Sequence, residues 1–154
     1  FKIVQSKINA KLLLIGYGVN ENLLLNYIKN NKLKKKVKII NYKDNPFPYL
    51  KKSNLFILSS LYEGLPNVLL EALTLKKFII SSDCPTGPKE ILKKGMYGFL
   101  FKMKDYKDLA KKIILYENNK SFFNKRTIKG YKSLSRFDFK KNCDEYLSIV
   151  RKFL

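Results

Sequence analysis

A regular alternation of short apolar runs with helix-periodic segments restricts this chain more than any other feature. "KLLLIG" (11–16), "KVKIIN" (36–41), "NLFILSS" (54–60), "KFIISS" (77–82) and "GFLFK" (98–102) are too short for stable helices and read as buried strands. Helical segments lie between and after them. Asn20 is placed to cap "ENLLLNYIKNN", with Leu24, Leu25 and Ile28 on one stripe. "DNPFPYLKKS" (44–53) suits a turn leading into a short helix, a helix is expected from about Pro66 to Leu75, and "CPTGPKEILKK" reads as a turn into another. Asp105 is placed to cap "YKDLAKKIILYENN", with Leu109, Ile113 and Tyr116 on one face. Two further helices are expected near 121–132 and 138–153, the last with a stripe of Phe139, Cys143, Leu147, Val150 and Leu154. The opening "FKIVQSKI" reads as the tail of a helix. This order is that of an α/β, Rossmann-like, doubly wound parallel sheet. Residues 1–154 read as one domain, without repeat or linker, and the 45% hydrophobic share is enough for a core.

What the chain lacks narrows its chemistry. It contains no histidine, which excludes a Ser-His-Asp triad, a Cys-His pair and any His-ligated metal. Cys84 and Cys143 are far apart and outside any CxxC spacing, so both are expected to be free thiols in a reducing compartment. No window of about 18 apolar residues predicts a membrane span, and the N-terminus lacks the apolar centre of a signal peptide. A chain that starts on Phe1 is expected to be cut from a longer protein.

The net charge is +20, from 32 basic and 12 acidic residues, with arginine only at Arg126, Arg136 and Arg151. The lysines fall mostly as dispersed pairs, and only "KLKKKVK" (32–38) is dense. This reads first as a solvated lysine-rich surface. It also leaves room for attraction to a phosphate-bearing ligand or an anionic bilayer. The competing class is a basic nucleic-acid module, with Tyr42, Phe47 and Tyr49 interleaved among lysines as base-stacking surfaces. Scarce arginine and the lack of any RNP, KH or helix-turn-helix pattern argue against it, so no nucleic-acid partner is expected.

Against this background "SSLYEGLPNVLLEAL" (59–73) places two of the few acids, Glu63 and Glu71, across a predicted helix start. Pro66 suits the first helical position, and Gly64 lets the backbone approach a ligand closely. The amides of Asn67, Val68 and Leu69 would lack helical acceptors and carry the positive end of the helix dipole. A strand, a glycine turn and a helix start at the carboxyl edge of a parallel sheet form a phosphate cradle. Carboxylates on either side suit the vicinal hydroxyls of a ribose and a hexose. The plainer alternative is that the acids stabilise the helix by about 0.3–1 kcal/mol each, with Leu65, Val68, Leu69, Leu70 and Leu73 as core.

"EGLPNVLLE", of the form E-x7-E, resembles the signature of the retaining GT-B glycosyltransferases of family 4, the group 1 transferases. "KLLLIGYGVNENLL", "VKIINYKDNPFPYLKKSNLFILSSLYEGLPNVLLEAL", "DCPTGPKEIL" and "GFLFKMKDYKDLAKKI" resemble that family's C-terminal domain in order, over roughly residues 10–115. The resemblance implies transfer of a glycosyl group from a nucleotide-sugar donor, a UDP-sugar, to an acceptor hydroxyl with retention. It assigns Glu63 to catalysis at the donor sugar, Glu71 to the ribose, and Gly64, Leu65, Pro66 and Asn67 to the sugar and diphosphate. Gly16, Tyr42 and Lys43 are candidate nucleotide contacts. Neither a cofactor nor a metal is implied. The implied partner is a glycan or lipid-linked acceptor, in bacterial capsule, lipopolysaccharide or protein-linked glycan synthesis. The implied location is cytoplasmic, with peripheral contact at the inner face of the membrane.

The sequence departs from the family in what it does not contain. The family's first strand, with its Arg/Lys pair in a segment like V-G-R-x-x-x-x-K, has no counterpart here, nor has the N-terminal acceptor domain. The expectation is therefore a sheet with an unpaired seam that does not turn over alone; a non-catalytic nucleotide-sugar-binding domain is the other reading. Lys76-Lys77-Phe78 also stands where the family usually has Gly-x-Pro, which is expected to alter a turn rather than chemistry.

Overall fold

The computed structural model describes residues 1–153. Two strands, β1 (Leu12–Ile15) and β2 (Val37–Ile40), pair in parallel, with Leu12 opposite Val37 and Ile15 opposite Ile40. Three more, β3 (Leu55–Leu58), β4 (Phe78–Ser82) and β5 (Phe99–Phe101), form a second parallel sheet in the order β3-β4-β5. The helices are α1 (Lys2–Gln5), α2 (Glu21–Asn30), α3 (Phe47–Lys52), α4 (Asn67–Thr74), α5 (Pro88–Ile91), α6 (Tyr106–Asn118), α7 (Lys120–Lys132) and α8 (Phe139–Val150). A 3-10 segment, Ser133–Phe137, lies between the last two.

β4 organises the interior. All of its residues are buried, as expected of a central parallel strand covered on both faces. Ile79 belongs to a cluster with Leu69, Ala72, Leu73, Ile91, Leu92 and Tyr97, which seats α4 and α5. Phe78 and Ile80 point the other way, into Phe101, Tyr116 and Phe123. There Phe78 stacks on Tyr116 at 4.8 Å and meets Phe99 edge-on at 5.1 Å. The Tyr116 hydroxyl donates to the Asn54 carbonyl at 2.9 Å and ties α6 to the start of β3.

The smaller sheet is built differently. No residue of β1 or β2 is buried, although β1 reads Leu-Leu-Leu-Ile. β1 and β3 each pair along one edge only, so the expected doubly wound sheet occurs as β2-β1 and β3-β4-β5. The break coincides with the place where a 3-2-1-4-5-6 order puts its first strand. Val4 of α1 is buried, and α1 packs on α6, which links the two parts.

Several local expectations are corrected. Asn20 occupies the α2 N-cap position, but its side chain makes no capping bond. Of the α2 stripe only Ile28 is buried, while Leu24 and Leu25 are exposed. No residue of α8 is buried, and Phe139 and Leu147 are exposed, so that stripe has no interior to join. Leu154 lies outside the described residues. Asp105 caps α6 as expected, accepting from the amides of Lys107 and Asp108. Cys84 and Cys143 are free thiols.

Arg126 of α7 stabilises the turn before β5. Its guanidinium donates to the carbonyls of Gly95, Met96 and Gly98 and lies over the rings of Phe99 and Phe123. A lysine cannot reproduce this planar fork. Arg126→Lys is therefore expected to cost about 1–3 kcal/mol, read as a lower urea midpoint with an unchanged m value.

At the start of α6 the Lys112 ammonium bonds the Asp108 carboxylate and outweighs the desolvation that opposes ionisation. The Lys102 amide adds a bond at 3.1 Å, and the carboxyl is held below its ordinary pKa. A depressed carboxylate contributes stability above its unfolded-state pKa and loses it as pH falls through the folded one. Asp108→Asn should therefore lower the melting temperature at neutral pH. The gap to wild type should close below about pH 4.

Candidate functional site

The 59–73 stretch begins where β3 ends and continues through an irregular loop to α4. Pro66, with φ −71° and ψ 97°, occupies the N-cap position, one residue earlier than the first helical turn predicted for it. No side chain caps α4. The Leu69 amide is satisfied by the Pro66 carbonyl at 2.9 Å, which corrects the expectation of three free amides. Asn67 and Val68 are left, and their amides have no acceptor among the described residues. They stand at the positive end of the helix dipole.

α4 is fixed from behind. Leu69, Ala72 and Leu73 are fully buried in the cluster around Ile79. Leu65 and Val68, expected as core under the plainer alternative, are exposed and border the open side of the helix start. Glu71 follows Asn67 by four residues, so it lies on the same helix face about 6 Å further along. Glu63 and Glu71 are both half-buried, and neither carboxylate takes part in a hydrogen bond or ion pair among the described residues. Glu21, Asp44, Glu90 and Asp144 are likewise without a side-chain partner among the described residues; Glu63 and Glu71 differ in standing at one helix start.

The neighbouring loop, between β4 and α5, is bound to this one at three points. The Ser82 hydroxyl donates to the Ser60 carbonyl at 2.5 Å. The Thr86 hydroxyl donates to the Glu63 carbonyl. Gly87, at φ +83°, lies so close that a Cβ there would be 2.2 Å from the Gly64 carbonyl oxygen and 2.5 Å from Pro66 Cδ. Sequence reasoning gave these residues no role. The available signals were two serines at the end of an otherwise apolar strand and the Gly87-Pro88 pair that follows. Asp83 starts the loop with one carboxylate oxygen on Lys89 at 3.2 Å; its other oxygen is buried without a partner among the described residues.

The remaining candidates are distributed around the same edge. Gly64 is open, and a Cβ there would meet nothing within 4 Å. Gly16 (φ +139°) follows β1, and exposed Tyr42 and Lys43 follow β2, at the carboxyl ends of parallel strands. No hydrogen bond or ion pair among the described residues joins these three to the Glu63 loop. Tyr62 and Phe47 are exposed. Lys76 takes a left-handed φ of +52° where a glycine was expected, and Lys77 Nζ bonds the carbonyls of Lys51 and Ser53 at the end of α3. No group of three or more metal-binding side chains occurs among the described residues. A separate open cleft of about 1020 Å³ is lined by residues of the β4–α5 loop and beyond, among them Thr86, Gly87, Lys89, Glu90, Lys93 and Lys94; neither Glu63 nor Glu71 lines it.

Comparison with known proteins gives this arrangement relatives. An uncharacterized glycosyltransferase of Methanocaldococcus jannaschii is 48% identical over 93 residues, which are 60% of this chain and 23% of that protein. In Campylobacter jejuni, the N-acetylgalactosamine-N,N'-diacetylbacillosaminyl-diphospho-undecaprenol 4-alpha-N-acetylgalactosaminyltransferase is 33% identical over 94 residues, 61% of this chain and 26% of that protein. The chain thus spans about a quarter of the length of each of these two relatives. The same fold occurs in a crystal structure of a Staphylococcus aureus TarM variant in complex with Fondaparinux, alpha-GlcNAc-glycerol and UDP. The TM-score is 0.87 at 23% identity, over 96% of this chain and 30% of that one. A family profile described as "Glycosyl transferases group 1" matches residues 1–136, and the chain belongs to that family.

Proposed function

We propose that this chain is the donor-binding part of a retaining GT-B transferase of family 4, which moves a glycosyl group from a UDP-sugar to an acceptor hydroxyl. The observation that carries this reading is the pair of uncommitted carboxylates, Glu63 and Glu71, flanking the free amides of Asn67 and Val68. The amides and dipole of α4 take the diphosphate. Glu71 accepts from the ribose hydroxyls, and Glu63 accepts from the hydroxyls of the donor sugar. Gly64, Leu65 and Pro66 shape the wall between them.

The chemistry fits these parts. Departure of a nucleoside diphosphate places growing negative charge on its phosphates, and oriented amides stabilise that charge without a metal or a strong acid. An arginine and a lysine supplied by the preceding segment of the parent enzyme complete this stabilisation. The parent's N-terminal domain brings the acceptor, so this part alone binds donor without turnover. The relative acting on a diphospho-undecaprenol substrate supports a lipid-linked glycan as acceptor. The basic surface then serves peripheral contact with an anionic bilayer, and no described helix is long and apolar enough to cross one.

Calorimetric titration with UDP, UDP-N-acetylglucosamine and random single-stranded DNA tests the assignment. Glu71→Ala should weaken UDP roughly 10- to 100-fold, the range of a hydrogen bond to a charged group. Undiminished UDP binding by Glu71→Ala would contradict it. So would binding of DNA alone, collapsing as salt rises.

A further inference from the structure

We propose that the β4–α5 loop is the mould of the donor-sugar loop, and that Thr86 and Gly87 are positioning residues for Glu63. This rests on the donor-site reading of Glu63 and adds what holds that residue in place. The half of the site on α4 needs no such help. Glu71 and the amides of Asn67 and Val68 belong to a helix seated by Leu69, Ala72 and Leu73 in the core. Glu63 has no comparable anchor. It lies between β3 and α4, outside any regular element, next to exposed Leu61, Tyr62, Gly64 and Leu65. Its side chain has no partner among the described residues.

The backbone that follows the Glu63 Cα is nevertheless held from the next loop. The Thr86 hydroxyl holds the Glu63 carbonyl. One residue on, the Gly64 carbonyl rests against Gly87, where even a methyl group would overlap it. Holding this peptide, with Ser60 tied to Ser82 three residues before Glu63, restrains the direction in which the Glu63 Cα–Cβ bond leaves the chain. The mould itself is rigid. Cys84, Gly87 and Pro88 are buried, Asp83 pairs with Lys89, and the Cys84 thiol lies 3.7 Å from the Thr86 carbonyl. Ser82 ties its base to Ser60. The loop therefore transmits the position of β4 to Glu63.

The two halves of the site have separate supports, and this predicts separable losses. Thr86→Val keeps the side-chain shape and removes the hydroxyl; Thr86→Ser keeps the hydroxyl. Affinities for UDP and UDP-N-acetylglucosamine are compared by calorimetry on the full chain. Thr86→Val should reduce the preference for the sugar nucleotide over UDP roughly 3- to 10-fold and leave UDP itself unchanged, with Thr86→Ser close to wild type. Gly87→Ala should lose more of that preference and also weaken UDP, because the added methyl meets both the Gly64 carbonyl and Pro66 at the α4 N-cap. An unchanged ratio in Thr86→Val, or equal loss for both ligands, overturns the proposal. A second measurement works without ligand. Amide exchange at Leu61–Leu65 should accelerate in Thr86→Val and not in Thr86→Ser, and equal rates overturn the mould. If wild type binds neither nucleotide, the donor-site reading fails and the role at Glu63 with it, while the exchange data still decide whether Thr86 shapes the loop.

Discussion

β4 is apolar on both faces, and the rest of the molecule is arranged to cover it. Burial of Phe78, Ile79 and Ile80 requires a layer on each side, supplied by α4 and α5 on one face and α6 with the start of α7 on the other. At roughly 1.5–3 kcal/mol for each large apolar side chain, this layer contact is the main source of stability available to the chain. It also fixes the site. α4 cannot shift along β4 without exposing Leu69 and Leu73, so its free amides and Glu71 have one position relative to the sheet. The loop leaving the other end of β4 then reaches across to the loop leaving β3. A packing constraint in the core thus becomes a geometric constraint on two carboxylates.

Electrostatics runs against the general composition at that point. Four of the twelve acids are ion-paired among the described residues: Asp83 with Lys89, Asp108 with Lys112, Glu117 with Lys120 and Glu145 with Lys141. Glu63 and Glu71 are not. Under the proposed function, the free amides at this helix end, with Glu63 before them and Glu71 one turn on, take a ligand whose charge is central and whose hydroxyls are peripheral. A nucleoside diphosphate sugar has that layout. The separate open cleft with Lys89, Lys93 and Lys94 on its walls has cations without those amides or the pair of acids.

Strand positions, the Asp105 cap and the helix after Pro66 were legible because local pattern and tertiary packing agree there. The α2 and α8 stripes misled because periodicity reports an apolar face and says nothing about whether a partner covers it. Leu24, Phe139 and Leu147 have the spacing of core residues and remain exposed. β1 has a strand's sequence but only one paired edge, and its Leu13 and Ile15 stay exposed. In the site, Glu63 and Glu71 were legible as acids across a helix start. The contributions of Ser82, Thr86 and Gly87 were not, because they depend on two loops meeting that are 20 or more residues apart in the chain. Lys76, where the resemblance has a glycine, takes a left-handed φ of +52°, which the identity of the residue did not reveal.

The most direct test of the account is a crystal structure of this chain with UDP-N-acetylglucosamine. The account predicts the diphosphate within hydrogen-bond distance of the Asn67 and Val68 amides, the ribose on Glu71 and the sugar on Glu63. A nucleotide bound instead along the lysine-lined cleft, or on the 32–38 segment, would show that charge rather than the helix start selects the ligand.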